Sequence, residues 1–245
     1  MGAKVELMEG KRIPKNPVII EAFPSKGYVS TIAGSYMIKK LGMEYVGYIH
    51  SNDLEAVTVV HDKKPMRPIR IYQKDNLVLI FSEIMIPLEM IHDFSEDISE
   101  WIKEVKPSKI ILLANIMGIN TEKDHEIFGV ACGEESLKNL GEAEVKMLDE
   151  GVLTGMSSSL MLRCMDNGFS TIALMVETRY IPDVLAASSI LKILNKILGL
   201  EIDIKGLEDT GKDIEGQVKN LMEQFKTAHE GHEELKDMSN LPMYR

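Results

Sequence analysis

Cysteine is nearly absent: the 245 residues hold only Cys132 and Cys164, and no Asn-x-Ser/Thr acceptor occurs. That scarcity excludes a disulfide-stapled miniprotein and gives no sign of an oxidising or secretory compartment, so a reducing, cytoplasmic setting is expected. Long hydrophobic runs are missing as well. None approaches the roughly 18 residues that a membrane span needs, and the opening Met1 to Glu6 has no apolar signal core, so neither insertion nor export is expected. Positive charge is in short supply, with 28 Lys and Arg against 38 Asp and Glu and a formal net charge of −10. Such a chain repels a phosphate backbone unless a local basic patch offsets it, and none is present, so nucleic acid is excluded as a partner. The densest basic stretch, Lys63, Lys64, Arg67 and Arg70, is interrupted by Pro65 and Pro68 and reads as a solvated loop running into a strand. Aromatics make up only 6%, with a single Trp, whereas Met occurs sixteen times. The methionines read mainly as core filling in place of Leu.

What is present is enough apolar content, 44% of the residues, to bury a sizeable core. Pro17 to Phe23 (PVIIEAF) reads as a buried strand ending in the loop Pro24 to Gly27. Val29, Ile32, Ala33, Tyr36, Met37 and Leu41 follow at helical spacing, with Gly42 just beyond as a C-terminal glycine. Strand-like runs come next at Tyr45–Ile49, Ala56–Val60, Ile69–Tyr72 and Leu77–Ile84. Pro87 stands where a first helical turn tolerates it, and Leu88, Ile91, Phe94, Ile98, Trp101, Ile102 and Val105 trace a long helix stripe. Lys109–Ile116 (KIILLANI) and Ser170–Val176 (STIALMV) are almost continuously apolar, as strands covered on both faces are. Between them a short strand is expected at Gly151–Thr154, turning at Gly155 into a helix from Ser157 to about Asn167. Pro182 opens a further helix striped by Val184, Leu185, Ile190, Leu191, Leu194 and Leu198.

Strands alternating with helices of ten or more residues argue an α/β fold, a three-layer α/β/α sandwich around a mainly parallel sheet. From Gly206 onward the chain changes character. That stretch carries nine acidic against five basic residues. Ile214, Val218, Leu221, Met222 and Phe225 share one helical face there. The expected organisation is therefore a body over 1–205 and a helical appendage over 206–245, closing in a tail from Asp237 without periodicity.

Open parallel sheets bind ligands at the carboxyl ends of their strands, and the turn Gly155-Met156-Ser157-Ser158-Ser159 lies at such a place. It departs from the nucleophile elbow Gly-x-Ser-x-Gly at Ser159, so Ser157 reads as a helix N-cap ahead of a nucleophile. Lys26-Gly27 lacks the pattern of a phosphate-cradling loop. Glu83, Glu177 and Arg179 fall at or past strand ends, and surface ion pairing is the simpler reading of each. His50, His61, His92 and His125 are scattered, and His229 and His232 lack further ligands at zinc spacing. No catalytic residue, metal ligand or cofactor site is assigned. The strongest signal is the final Met243-Tyr244-Arg245, where an apolar side chain, a phenol and a terminal carboxylate form a compact plug that a lysine-bearing pocket can grip.

Three stretches carry a family resemblance: IIEAFPSKGYVSTIAGSYMIKKLG (19–42), GVLTGMSSSLMLRCMDNG (151–168) and VETRYIPDVLAASSILKILNKILGLEID (176–203). With the pattern between them, residues 15–205 resemble the proteasome assembly chaperone family, specifically its archaeal homologues. The resemblance implies a phosphorylase-like α/β/α fold, a homo-oligomer, and binding to the α subunits of the proteasome core particle without nucleotide hydrolysis. It also implies docking through a C-terminal hydrophobic-tyrosine-any residue motif, which Met243, Tyr244 and Arg245 match position by position. Two competing readings stand beside it. One is a nucleoside phosphorylase- or hydrolase-type enzyme using Ser157, Glu83 and Glu177; the other is a non-catalytic scaffold.

Overall fold

In the computed structural model, residues 2–116, 125–178, 180–209 and 211–239 are described. Eleven strands and seven helices follow one another along them: β1 (Lys4–Leu7), β2 (Val18–Ala22), α1 (Val29–Leu41), β3 (Glu44–His50), β4 (Val59–His61), β5 (Lys64–Met66), β6 (Ile69–Lys74), β7 (Leu77–Ser82), α2 (Ile91–Val105), β8 (Lys109–Ile116), β9 (Ile127–Cys132), α3 (Glu134–Glu142), β10 (Lys146–Met147), α4 (Gly155–Asp166), β11 (Thr171–Glu177), α5 (Val184–Leu198), α6 (Lys205–Asp209) and α7 (Gly211–Ser239). Nine strands form one sheet in the order β1-β3-β6-β7-β2-β8-β11-β9-β10, and β4 and β5 make a separate hairpin.

The α/β class and the three layers are as expected. Parallel pairing is confined to the centre, where β7, β2, β8 and β11 run together, and to the short β9–β10 pair. The other contacts, β1–β3, β3–β6, β6–β7 and β11–β9, are antiparallel, so the sheet is mixed rather than mainly parallel. The reason lies in the connections. Parallel strands need a crossover, and helices supply one between β7 and β8 and between β9 and β10, whereas β6 and β7 are joined by a tight turn at Asp75-Asn76.

Strand alternation divides the core into two faces. Ile20, Ala22, Leu79, Phe81, Ile111, Leu113, Ile172 and Leu174 point to the layer of α1, α3 and α5. Ile19, Phe23, Ile80, Ile110, Leu112 and Ala173 point to α2 and α4, where Phe94, Ile98, Met156, Leu160 and Cys164 meet them. This period-two split within runs apolar at nearly every position is the mark of strands covered on both sides. Of α7, Ile214 and Val218 pack against the α1/α5 face.

Several local expectations change. Gly151–Thr154 is irregular, and the stretch between β8 and β11 instead holds β9, α3 and β10. The run Ala56–Val60 contributes only Val59 and Val60 to β4, and the polar lead contains the edge strand β1. The helix expected from Ser157 begins at Gly155, with Thr154 as N-cap. Pro182 lies just before α5, whose N-cap is Asp183: its carboxylate accepts from the Ala186 amide at 3.0 Å.

Candidate functional site

The chain leaves β2 through α1 towards β3 on one side of the sheet and leaves β8 towards β9 on the other. The crevice between the carboxyl ends of β2 and β8 is thus the topological switch point, where open α/β sheets bind ligands. Their ladder runs from Val18 opposite Lys109 to Glu21 opposite Leu112 and stops there. Beyond it the chain's own side chains take the place of backbone pairing. The Leu113 carbonyl accepts from Ser30 Oγ of α1 at 3.0 Å and from Ser157 Oγ of α4 at 3.3 Å, one from each helical layer. The Glu21 carboxyl accepts from the Phe23 amide at 3.0 Å and from Ser157 Oγ at 2.9 Å.

Glu21, Ser30 and Ser157 are 1%, 0% and 6% exposed, so this polar cluster fills the crevice. Burial pushes the Glu21 carboxyl up to about 8, because a dry site penalises the carboxylate more than its donors, Ser157 and the amides of Phe23 and Leu113, repay. At neutral pH it is mainly a neutral acid. Ser157 therefore neither caps α4 nor stands free as a nucleophile; its hydroxyl is committed to Glu21 and Leu113. Sequence reading missed Glu21, although one signal was available: a single carboxylate inside the otherwise apolar run PVIIEAF.

The other expected strand-end residues lie apart from this cluster. Glu83 follows β7 and is buried against the guanidinium of Arg70, a residue of β6 that is itself buried and not part of a solvated loop. The Arg70 guanidinium also lies over the Phe81 ring, 5.3 Å from its centroid, and donates to Met66 Sδ at 3.3 Å. His61 reaches the same carboxylate from the hairpin, with Nε2 2.8 Å from Glu83 Oε1. The expected surface ion pair at Glu83 is thus a buried one. Glu177 ends β11 opposite Ile116 and is half-buried. The loops after β2 and β11 meet where the Gly27 carbonyl accepts from the Asp183 amide at 2.9 Å. Gly27 is required there: its φ is +81°, and a Cβ would stand 2.7 Å from Thr178 Cγ2. His125 Nε2 lies 3.1 Å from Asp183 Oδ1 on the far side of that contact.

Arg179 and residues 240–245, with Met243, Tyr244 and Arg245 among them, lie outside the described residues; of the tail expected from Asp237, the first three residues are the end of α7. Among the described residues no group of three or more His, Cys, Asp and Glu is arranged to hold a metal ion, and no helix is long and apolar enough to cross a membrane. Cys164 is buried in the α2/α4 face, and burial pushes its thiol up to about 12, so it is inert at neutral pH.

The arrangement has close counterparts. The family model described as PAC2 matches residues 19–222. An uncharacterised protein of Methanocaldococcus jannaschii, MJ0106, is 35% identical over 211 residues, covering 86% of this chain and 87% of its own. Among solved structures, Pyrococcus furiosus PbaA, described as an archaeal homolog of proteasome-assembly chaperone, superposes with a TM-score of 0.80 at 30% identity over 92% of this chain and 100% of its own. Pyrococcus furiosus PbaB, described as an archaeal proteasome activator, shares the fold with a TM-score of 0.74 at 19% identity over 90% of this chain and 99% of its own. With a family model spanning most of its length and relatives at these identities, the chain belongs to the PAC2 family.

Proposed function

We propose that this protein is an ATP-independent proteasome-binding factor, an assembly chaperone or activator, that docks Met243-Tyr244-Arg245 into pockets of the proteasome α ring. The observation that carries this reading is the likeness to PbaA across nearly the whole of both chains. The filled switch-point crevice supports a non-catalytic role: the position where an α/β enzyme holds its substrate is occupied by Glu21, Ser30 and Ser157. Residues 1–205 then act as the body and 206–245 as the presenting appendage.

Helix α7 gives that appendage its reach. Its 29 residues run about 43 Å at 1.5 Å each, and about 22 Å of that lies beyond Gln224, where α7 still lines a groove with α1. Such a rod would carry the last residues clear of the body. One short tail buries little surface and loses conformational freedom on docking, so a single copy binds weakly. Several copies on one homo-oligomer raise avidity by about 10²–10⁴ when their spacing allows simultaneous engagement.

The test is co-sedimentation with core particle or isolated α rings, followed by a peptidase assay on what is captured. Wild type is expected to co-sediment without nucleotide, and Tyr244→Ala to stay in the supernatant with its own oligomeric state unchanged. Retained binding by Tyr244→Ala would remove the tail from the account. Peptidase stimulation of mature particles identifies an activator, and capture of free α rings without stimulation identifies an assembly factor.

A further inference from the structure

The hairpin β4–β5 lies outside the main sheet and has three residues in each strand. Two-stranded ribbons of this size are marginal in water without support. Its turn is unfavourable as well: Asp62 and Lys63 take φ of +49° and +65°, a conformation that suits glycine or asparagine. Its place on the molecule therefore depends on its anchors. These are the buried Val59, Met66 against Arg70, and His61 against Glu83. The first two do not change with pH. The third joins a histidine to a carboxylate, so it is the one that gaining or losing a proton alters.

The hairpin is also a wall. A groove of about 640 Å³ lies between α1 and α7, with Phe81 and Glu83 on its floor, Leu221 on its α7 side, and Val60 and His61 contributed by the hairpin. His61 remains 43% exposed to this groove, so solvent protons reach it freely.

We propose that His61 and Glu83 form a proton-controlled latch that holds the β4–β5 hairpin against the sheet and sets the width of the α1/α7 groove. Protonated His61 donates to a carboxylate that is buried and charged, a charge-assisted bond; neutral His61 keeps at most an ordinary one. The surrounding charges define the balance. On the sheet side Arg70 already pairs with Glu83, and Tyr72 stays a neutral phenol because burial raises its pKa. Across the groove, α1 presents Lys39 and Lys40 and α7 presents Asp213. The hairpin itself carries Asp62, Lys63 and Lys64, all exposed.

Amide hydrogen exchange of the full-length protein tests this, with intrinsic rates corrected for pH. Protection of the 59–66 amides is expected to fall about three- to tenfold between pH 5.5 and 8 in wild type. In His61→Gln it should be low at both pH values. In His61→Lys, which keeps a cation throughout, it should be high at both. Amides of β8 serve as the reference for global opening, because a whole-molecule change moves them equally. Hairpin protection that does not change with pH, or that changes as much in His61→Gln as in wild type, would overturn the latch.

Discussion

A neutral glutamic acid in the middle of a sheet makes a definite demand on the pH dependence of stability. Glu21 titrates at about 8 in the folded protein against 4.5 for an exposed glutamate. Between those values the folded state holds a proton that the unfolded state has released. Stability is therefore complete below the unfolded value and is lost as pH rises through the window towards about 8. Chemical unfolding at pH 5 and pH 8 should differ by on the order of 4 kcal/mol in wild type. Glu21→Gln, which keeps the shape and cannot ionise, should flatten that difference; an unchanged slope would mean that another group carries it. The individual residues of this cluster were poorly legible beforehand. Glu21 meets Ser157 across 136 positions, and Ser30 meets Leu113 across 83. Neither pairing leaves a local pattern, so Ser157 reads as a cap, and the lone carboxylate in PVIIEAF is the one trace of Glu21.

Among elements, those with both faces or one broad stripe buried were readable, and those without were not. β2, β8 and β11 announce themselves as continuous apolar runs, and α2 and α5 as stripes three to four residues apart. β1 is a mostly exposed four-residue edge strand, β10 has two residues, and the six-residue β9 is interrupted by Gly129 and half-buried over its last three positions, so none of them shows the pattern that separates a strand from a loop. The parallel centre could be inferred from strand–helix alternation, but the antiparallel return of β9 beside β11 could not. Helix α1 shows how closely its layer is seated. A Cβ on Gly34 would stand 3.0 Å from Phe81 and 3.1 Å from Ala22 Cβ, so the helix rests on the sheet through a glycine. Gly34→Val should cost about 1–3 kcal/mol through overpacking. In α3, nothing lies within 4 Å of the corresponding position on Gly141, and Gly141→Ala should be neutral or stabilise by up to about 1 kcal/mol. Thermal unfolding of the two variants side by side checks the contrast. A tolerated Val at position 34 would mean that α1 can lift from the sheet at little cost.

At the scale of the whole molecule, the shortage of positive charge takes on a second meaning. A net charge of −10 disfavours phosphate backbones, and it also suits a protein whose proposed contact is a carboxylate meeting a basic pocket. The body supplies rigidity: a nine-stranded sheet clad on both faces, with its ligand crevice closed by its own side chains. In the proposed function, the long α7 supplies projection and the last three residues supply specificity. In this division of labour the body can be altered at Glu21 or Gly34, within the limits of folding, without touching partner binding. The most direct measurement is the equilibrium affinity of purified core particle for the full-length protein and for the same protein lacking Met243 to Arg245, without nucleotide. The account expects binding by the full-length chain and a loss of at least about a hundredfold on deletion, the scale of multivalent engagement. Equal affinity of the two proteins would contradict it.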